Sequence, residues 1–271
     1  MIVSDRHRFI FIHIPKCAGS AIRRRLQPYD DAGGRFSERV VEHPDFGRLD
    51  LTHMPLDLLR CVEPEVHGKL AGGDYAGYAI LRDPYERFPS AMAQRLKMYD
   101  GTEMMQMGAA ALRREVDATI RHLAASPADT APDYIHFHPQ VRYVVENGQR
   151  RVHGLYTMDR LDRFTEDLSA RIGTPLEAVG RANSTWTLRF PALRGPFQLA
   201  NRAARRVLPA PVRLALRQKL RARLMQRSSA DRPEVFETAE VRGFIAEYYA
   251  EDIALYREVH DRAPGAPRQA G

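Results

Sequence analysis

The sequence predicts an α/β protein built on a mostly parallel sheet flanked by helices. Three observations carry this expectation. Short apolar runs at 8–14, 78–81 and 152–158 have the length and the Ile, Phe, Tyr and Leu content of buried strands. Segments of helical composition separate them, and hairpin signals are few. Two of the runs end at a cationic residue, Lys16 and Arg82, beside a helix start, where open sheets place their ligands.

In chain order, the first run breaks at Pro15 and leads through Lys16-Cys17-Ala18-Gly19-Ser20 into Ala-Ile-Arg-Arg-Arg-Leu. The small residues predict a tight turn and the tail a helix over 20–27, with Ser20 near its N-cap. Residues 28–50 are polar and predict a loop or short excursion. Leu49 to Pro55 predicts a strand-like piece, and 56–60 a brief helical turn. After the second strand, Asp83-Pro84 supplies an N-cap acceptor and a proline at the first helical position, so a helix runs to about Asp100. Pro89 inside it predicts either a kink or a separate turn over 84–88.

Residues 103–125 predict a long amphipathic helix in which Met104, Met105 and Met107 pack. A loop over 126–134 follows, then Tyr134–Val145 and a turn at Glu146-Asn147-Gly148. After the third strand, a helix over 160–172 stops at Gly173. Residues 212–226 predict a cationic helix and 233–259 a terminal one. A disordered tail is expected from about 261. No internal repeat or clean linker is present, so the 271 residues are read as one domain.

Composition bounds the function. At 44% hydrophobic and 28% charged the chain is globular, and no window reaches the length of a membrane span. No apolar leader precedes the first strand, which predicts a cytoplasmic protein. Cys17 and Cys61 are too few for a disulfide framework or a metal cluster, so no metal is expected. Cys17 is expected to pack rather than react.

The net charge of +7 is uneven. Between Ala178 and Ala230 there are twelve Arg and Lys and no Asp or Glu, leaving the rest at 7 − 12 = −5. Such asymmetry predicts a polyanionic partner or peripheral contact with an anionic membrane, against the plainer reading of a solvated arginine face. No nucleic acid is expected.

The strand–turn–helix at Lys16 aims backbone N–H groups and a helix dipole at an anion, and Lys16 adds a mobile charge. Arg82, with Ser90 two turns on, forms a second such cluster, unless Arg82 merely pairs with Asp83 or Glu86. Together they suit a ligand with two separated phosphate groups. The order differs from G-x-x-x-x-G-K-[ST], because lysine precedes the glycine and no acidic residue waits for magnesium at a strand end.

Phe11-Ile12-His13-Ile14-Pro15-Lys16-Cys17-Ala18-Gly19-Ser20 resembles the 5′-phosphosulfate loop of PAPS-dependent sulfotransferases, particularly the carbohydrate sulfotransferases of the family-2 kind. Leu81-Arg82-Asp83-Pro84-Tyr85-Glu86-Arg87-Phe88-Pro89-Ser90 resembles their 3′-phosphate motif. Phe137-His138-Pro139-Gln140, Arg181-Ala182-Asn183-Ser184 and Tyr248 to Tyr256 resemble later landmarks in the same order.

The resemblance implies a P-loop-like three-layer core spanning a single sulfotransferase domain. It implies PAPS as co-substrate, held at the 5′ end by Lys16, Cys17, Ala18, Gly19, Ser20 and Ala21 and at the 3′-phosphate by Arg82 and Ser90. It implies transfer of a sulfuryl group to a hydroxyl of a glycan or glycolipid, with Lys16 at the leaving oxygen. His53 is the expected base, ahead of His136 or His138 and a carboxylate such as Glu63. His13 is expected to be structural. Two rivals stand beside this reading: a kinase using the same cradle, and a non-catalytic PAP- or polyanion-binding protein.

Overall fold

The computed structural model describes residues 1–37, 40–127, 131–177 and 233–261, and the backbone of 186–188 and 225–227. The described residues fall into two compact units, Met1–Gly180 with Pro233–Gly271, and Arg181–Arg232.

The first unit is built on a four-stranded sheet in the order β1-β2-β5-β8. β1 (Ile2–Ser4) is an edge strand antiparallel to β2 (Phe9–Phe11). β2 pairs in parallel with β5 (Ala76–Leu81), and β5 with β8 (Gly154–Thr157). The three apolar runs are thus the three parallel strands. Every residue of β5 is buried, as a central strand covered on both faces requires. β1 had no sequence signal beyond three residues, too short to show a period. Helix α1 (Gly19–Leu26) follows β2, α4 (Pro84–Tyr99) follows β5 and α6 (Leu161–Ile172) follows β8. Gly173, at φ +76°, ends α6 in the left-handed conformation open to glycine.

Several expectations need correction. The polar excursion contains a hairpin, β3 (Val41–His43) with β4 (Gly47–Leu49). The strand-like piece at 49–55 is instead a 3₁₀ turn, Leu51–His53, because the Asp50 carboxylate accepts the Thr52 N–H at 2.9 Å and closes the backbone. The brief turn at 56–60 is a full helix, α2 (Leu56–Val62). A further helix, α3 (Pro64–Ala71), starts on Pro64 at its first position.

Pro89 breaks nothing: α4 runs through it, and the residue is buried. The proline removes only the hydrogen bond that Tyr85 C=O would have accepted. The expected 103–125 helix divides into a 3₁₀ turn, Met104–Gln106, and α5 (Ala109–Ala125). Met104 and Met107 pack as expected, whereas Met105 is exposed. A short hairpin, β6 (Val145–Glu146) with β7 (Gln149–Arg150), turns at Asn147-Gly148. The terminal helix divides into a 3₁₀ turn, Glu234–Glu237, then α7 (Ala239–Tyr248) and α8 (Ala250–Asp261).

Two apolar clusters result. One lies against the sheet, with Phe9, Phe11, Ile80 and Phe164; the other joins α4, α5 and α7 through Phe88, Val116 and Ile245. In the second unit, β9 (Trp186–Leu188) pairs antiparallel with β10 (Met225–Arg227). The basic segment at 178–230 and its expected helix at 212–226 otherwise lie outside the described residues, as does the tail beyond 261. Met225 and Gln226, at the end of that expected helix, are strand.

One side chain joins the ends of the two central strands. The fully buried Gln140 amide accepts the Arg82 N–H at 2.9 Å and donates to the Arg82 C=O at 2.8 Å. Its oxygen also lies 3.3 Å from Cys17 Sγ in the turn after β2. Asp252 of α8 holds Gln140 in turn, accepting the N–H groups of Gln140 and Val141 at 2.7 and 2.9 Å. Gln140→Leu leaves the Arg82 peptide without both partners and should cost roughly 2–4 kcal/mol in urea unfolding. A loss under about 0.5 kcal/mol would show that the joint carries no weight.

Candidate active site

The turn after β2 is strained where it would meet a ligand. Lys16 and Ala18 both have positive φ, 67° and 59°, each costing about 1–2 kcal/mol for a residue with a side chain. Burial of Cys17 between them compensates: Sγ lies 3.4 Å from the Pro15 C=O as well as against Gln140. Burial pushes the Cys17 thiol up to about 11, so it stays protonated and packs rather than attacks.

Ala18, not Ser20, is the N-cap of α1, and Ser20 is the second helical residue. No side chain caps this helix and no acidic residue lies in its first turn. Its first N–H groups are therefore left for an external acceptor. Ala21 is already inside the helix, its N–H donated to the Ala18 C=O at 3.0 Å.

The second cluster adjoins the first. Arg82 donates from Nη1 to the Lys16 C=O at 3.4 Å and from Nε to Glu86 at 3.4 Å. Asp83 does not pair with it; its carboxylate caps α4 through the Tyr85 N–H at 2.8 Å. Ser90 is half-buried on α4, and one turn on Gln94 Oε1 accepts from Lys16 Nζ at 3.2 Å. The geometry thus brings Lys16, the uncapped N-terminus of α1 and Arg82 together at the carboxyl ends of β2 and β5.

A histidine cluster abuts this cradle. The rings of His13 and His53 are 4.4 Å apart, and those of His53 and His136 are 5.3 Å apart. All three residues are buried. A Cβ built on Gly19 would lie 1.8 Å from the His13 ring, so only glycine lets α1 start against it.

Asp50 Oδ2 accepts from His53 Nδ1 at 2.9 Å. Burial pushes the Asp50 carboxyl up, but the hydrogen bond and charge of His53 outweigh it and hold the pKa below its usual value. An ionised Asp50 favours the tautomer with the proton on Nδ1, in which Nε2 carries the ring's lone pair. Burial first, and the neighbouring His53 second, hold His13 well below the usual imidazole value.

Of the other candidate bases, His136 lies beside His53 in this cluster, whereas His138 and Glu63 are engaged elsewhere. His138 Nδ1 accepts from Arg142 Nη1 at 3.1 Å, and its C=O accepts from the buried Arg87 at 3.0 Å. Glu63 pairs with Arg35 at 2.8 Å, its carboxyl pushed up by burial. Sequence reasoning missed Asp50, Gln94 and Asp252. Asp50 had a usable signal, a turn-forming acid three residues before His53. Gln94 sits one turn after Ser90 on the same helical face, but nothing local tied it to Lys16.

A model of the sulfotransferase family matches residues 1–175, from β1 to the end of α6. This chain is a sulfotransferase-family protein. Neither a search of curated proteins nor one of solved structures returned a match. The family's reaction is sulfuryl transfer, and both cationic strand ends and the histidine cluster fall within the matched span. Asp252, which braces Gln140 in this sulfotransferase, lies beyond it. No described helix is long and apolar enough to cross a membrane.

The buried, neutral His13 gives stability a pH dependence. Below about pH 6.5 the unfolded chain takes up a proton at His13 that the folded protein refuses. Its stabilising contribution is full above that pH and falls as the pH drops, by up to about 1.4 kcal/mol per unit. Urea unfolding between pH 7 and 5.5 should show this decline, and His13→Asn should flatten it. An unchanged slope in the variant would contradict the assignment.

Proposed function

We propose that this sulfotransferase uses PAPS and transfers the sulfuryl group to a hydroxyl of a carbohydrate acceptor, a glycan or glycolipid. One observation carries the reading: two cationic side chains, Lys16 and Arg82, share adjoining strand ends beside a histidine hydrogen-bonded to a buried carboxylate. The uncapped start of α1 fits an anionic group. Lys16, Cys17, Ala18, Gly19, Ser20 and Ala21 would hold the 5′-phosphosulfate in a P-loop-like cradle, and Arg82 and Ser90 the 3′-phosphate. When bound, PAPS supplies a sulfuryl group on a phosphate leaving group.

The chain's own residues do the rest. Lys16 exchanges Gln94 for the bridging oxygen, where negative charge accumulates as the sulfur–oxygen bond breaks. The acceptor hydroxyl forms the new sulfur–oxygen bond and gives its proton to His53 Nε2. Asp50 stabilises the imidazolium that forms. The two clusters fix the donor by its ends, so the transfer needs little more than positioning. The twelve positive charges of 178–230 support an anionic or lipid-linked acceptor, or peripheral contact with an anionic membrane, guided to this site. The segment from Pro233 onward then belongs to the same unit as the cradle, since Asp252 braces Gln140 behind it.

Radiolabelled PAPS presented with a panel of glycans tests the proposal. His53→Ala should lower kcat by about 10²–10⁴-fold with PAP affinity unchanged. Tight PAP binding with no transfer to any acceptor would favour a binding module instead.

A further inference from the structure

The base cluster has the makings of a metal site. Asp50, His53 and His136 each offer one donor atom, and these atoms lie within 4.8 Å of one another. All three residues are buried. One edge of this triangle, Asp50 Oδ2 to His53 Nδ1, is 2.9 Å. Tetrahedral zinc, with bonds of about 2.1 Å, spaces its ligand atoms by about 3.4 Å, so the cluster closes on an ion by small side-chain rotations. Two imidazoles and one carboxylate suit zinc, cobalt or nickel rather than magnesium or calcium, which prefer all-oxygen shells. A second observation points the same way. His13 Nδ1, in a ring whose centre lies 4.4 Å from that of His53, is buried with no hydrogen-bond partner, a polar atom the protein fold leaves uncompensated in the same histidine cluster.

We propose that Asp50, His53 and His136 bind a zinc-class divalent ion, and that filling the site silences the base. The second half rests on His53 being the base, as proposed above. A neutral imidazole has one lone pair. If the ion takes Nε2, the lone pair is used directly. If it takes Nδ1, the ring proton moves to Nε2, which can then accept nothing. Either way the acceptor hydroxyl loses its proton acceptor, while the phosphate-binding residues are untouched. Zinc-class ions would therefore inhibit transfer without displacing the nucleotide.

The test is a Co²⁺ titration of the full chain after chelator treatment, followed by visible absorption. The expected result is the d–d bands of four- or five-coordinate cobalt, removed by Zn²⁺. Asp50→Asn and His136→Ala should each weaken Co²⁺ by at least about tenfold. Modification of His53 and His136 by diethyl pyrocarbonate, read by mass spectrometry on the unmutated chain, should slow when Zn²⁺ is present. In the transfer assay, Zn²⁺ should lower kcat in step with occupancy, with the PAP dissociation constant unchanged and activity restored by chelator. Absence of the bands, or bands indifferent to both variants, overturns the site. Full occupancy with transfer untouched overturns the silencing and His53's role as base together. A chain that transfers to no acceptor would sink the functional reading while leaving the cobalt spectrum as it stands.

Discussion

The side-chain amide of Gln140 is the constraint on which the site depends. Parallel neighbours such as β2 and β5 are joined by their ladder only as far as the strands run. Beyond their ends, each chain turns away into its own helix. Gln140 extends the connection past that point by pairing with both polar groups of the Arg82 peptide and meeting Cys17 in the opposite turn. The spacing between the Lys16 turn and Arg82 is thus set by a buried, directional contact rather than by loop preference. A ligand held at two ends needs that rigidity, because each ångström of play would be lost from its binding.

The same joint explains how the protein stores strain. Left-handed backbone at Lys16 and Ala18 persists only where the surroundings over-determine it. Buried Cys17 pins the middle of the turn, Gln140 pins Cys17, and Asp252 pins Gln140 through two backbone N–H groups. Burial pushes the Asp252 carboxyl up, and Arg87 and those N–H groups oppose the shift. The resulting chain of contacts runs from α8 to the anion cradle. The histidine cluster is attached to that cradle by sterics: His13 fills the space where any other residue at position 19 would place a Cβ.

What the sequence made legible follows from range. The three parallel strands were visible because each is a continuous apolar run, and the starts of α1 and α4 because the residues that shape a turn are local. The Lys16 and Arg82 motifs were visible for the same reason. Leu49 to Pro55 was misread as strand-like because it is a short, partly apolar piece that stops at a proline, while the Asp50 carboxylate, hydrogen-bonded to the backbone, forces a 3₁₀ turn. The break between α7 and α8 had no proline or glycine to announce it. It occurs where the Tyr249 hydroxyl donates to the Phe137 C=O at 2.7 Å and Asp252 reaches Gln140, a contact 112 residues apart that no local pattern encodes. Asp50 as partner of His53 lay within reach of the sequence; Gln94 as partner of Lys16, 78 residues away, did not.

On the function proposed above, two separate charges hold the two ends of one nucleotide. Calorimetric titration of the unmutated chain and Arg82→Ala with PAP, and with the same nucleotide lacking its 3′-phosphate, tests it most directly. Arg82→Ala should weaken PAP by roughly ten- to a hundredfold, the worth of a charge-assisted hydrogen bond, and leave the truncated nucleotide unaffected. Equal losses for both ligands would contradict it, because Arg82 would then be supporting the fold of the turn rather than reading a phosphate.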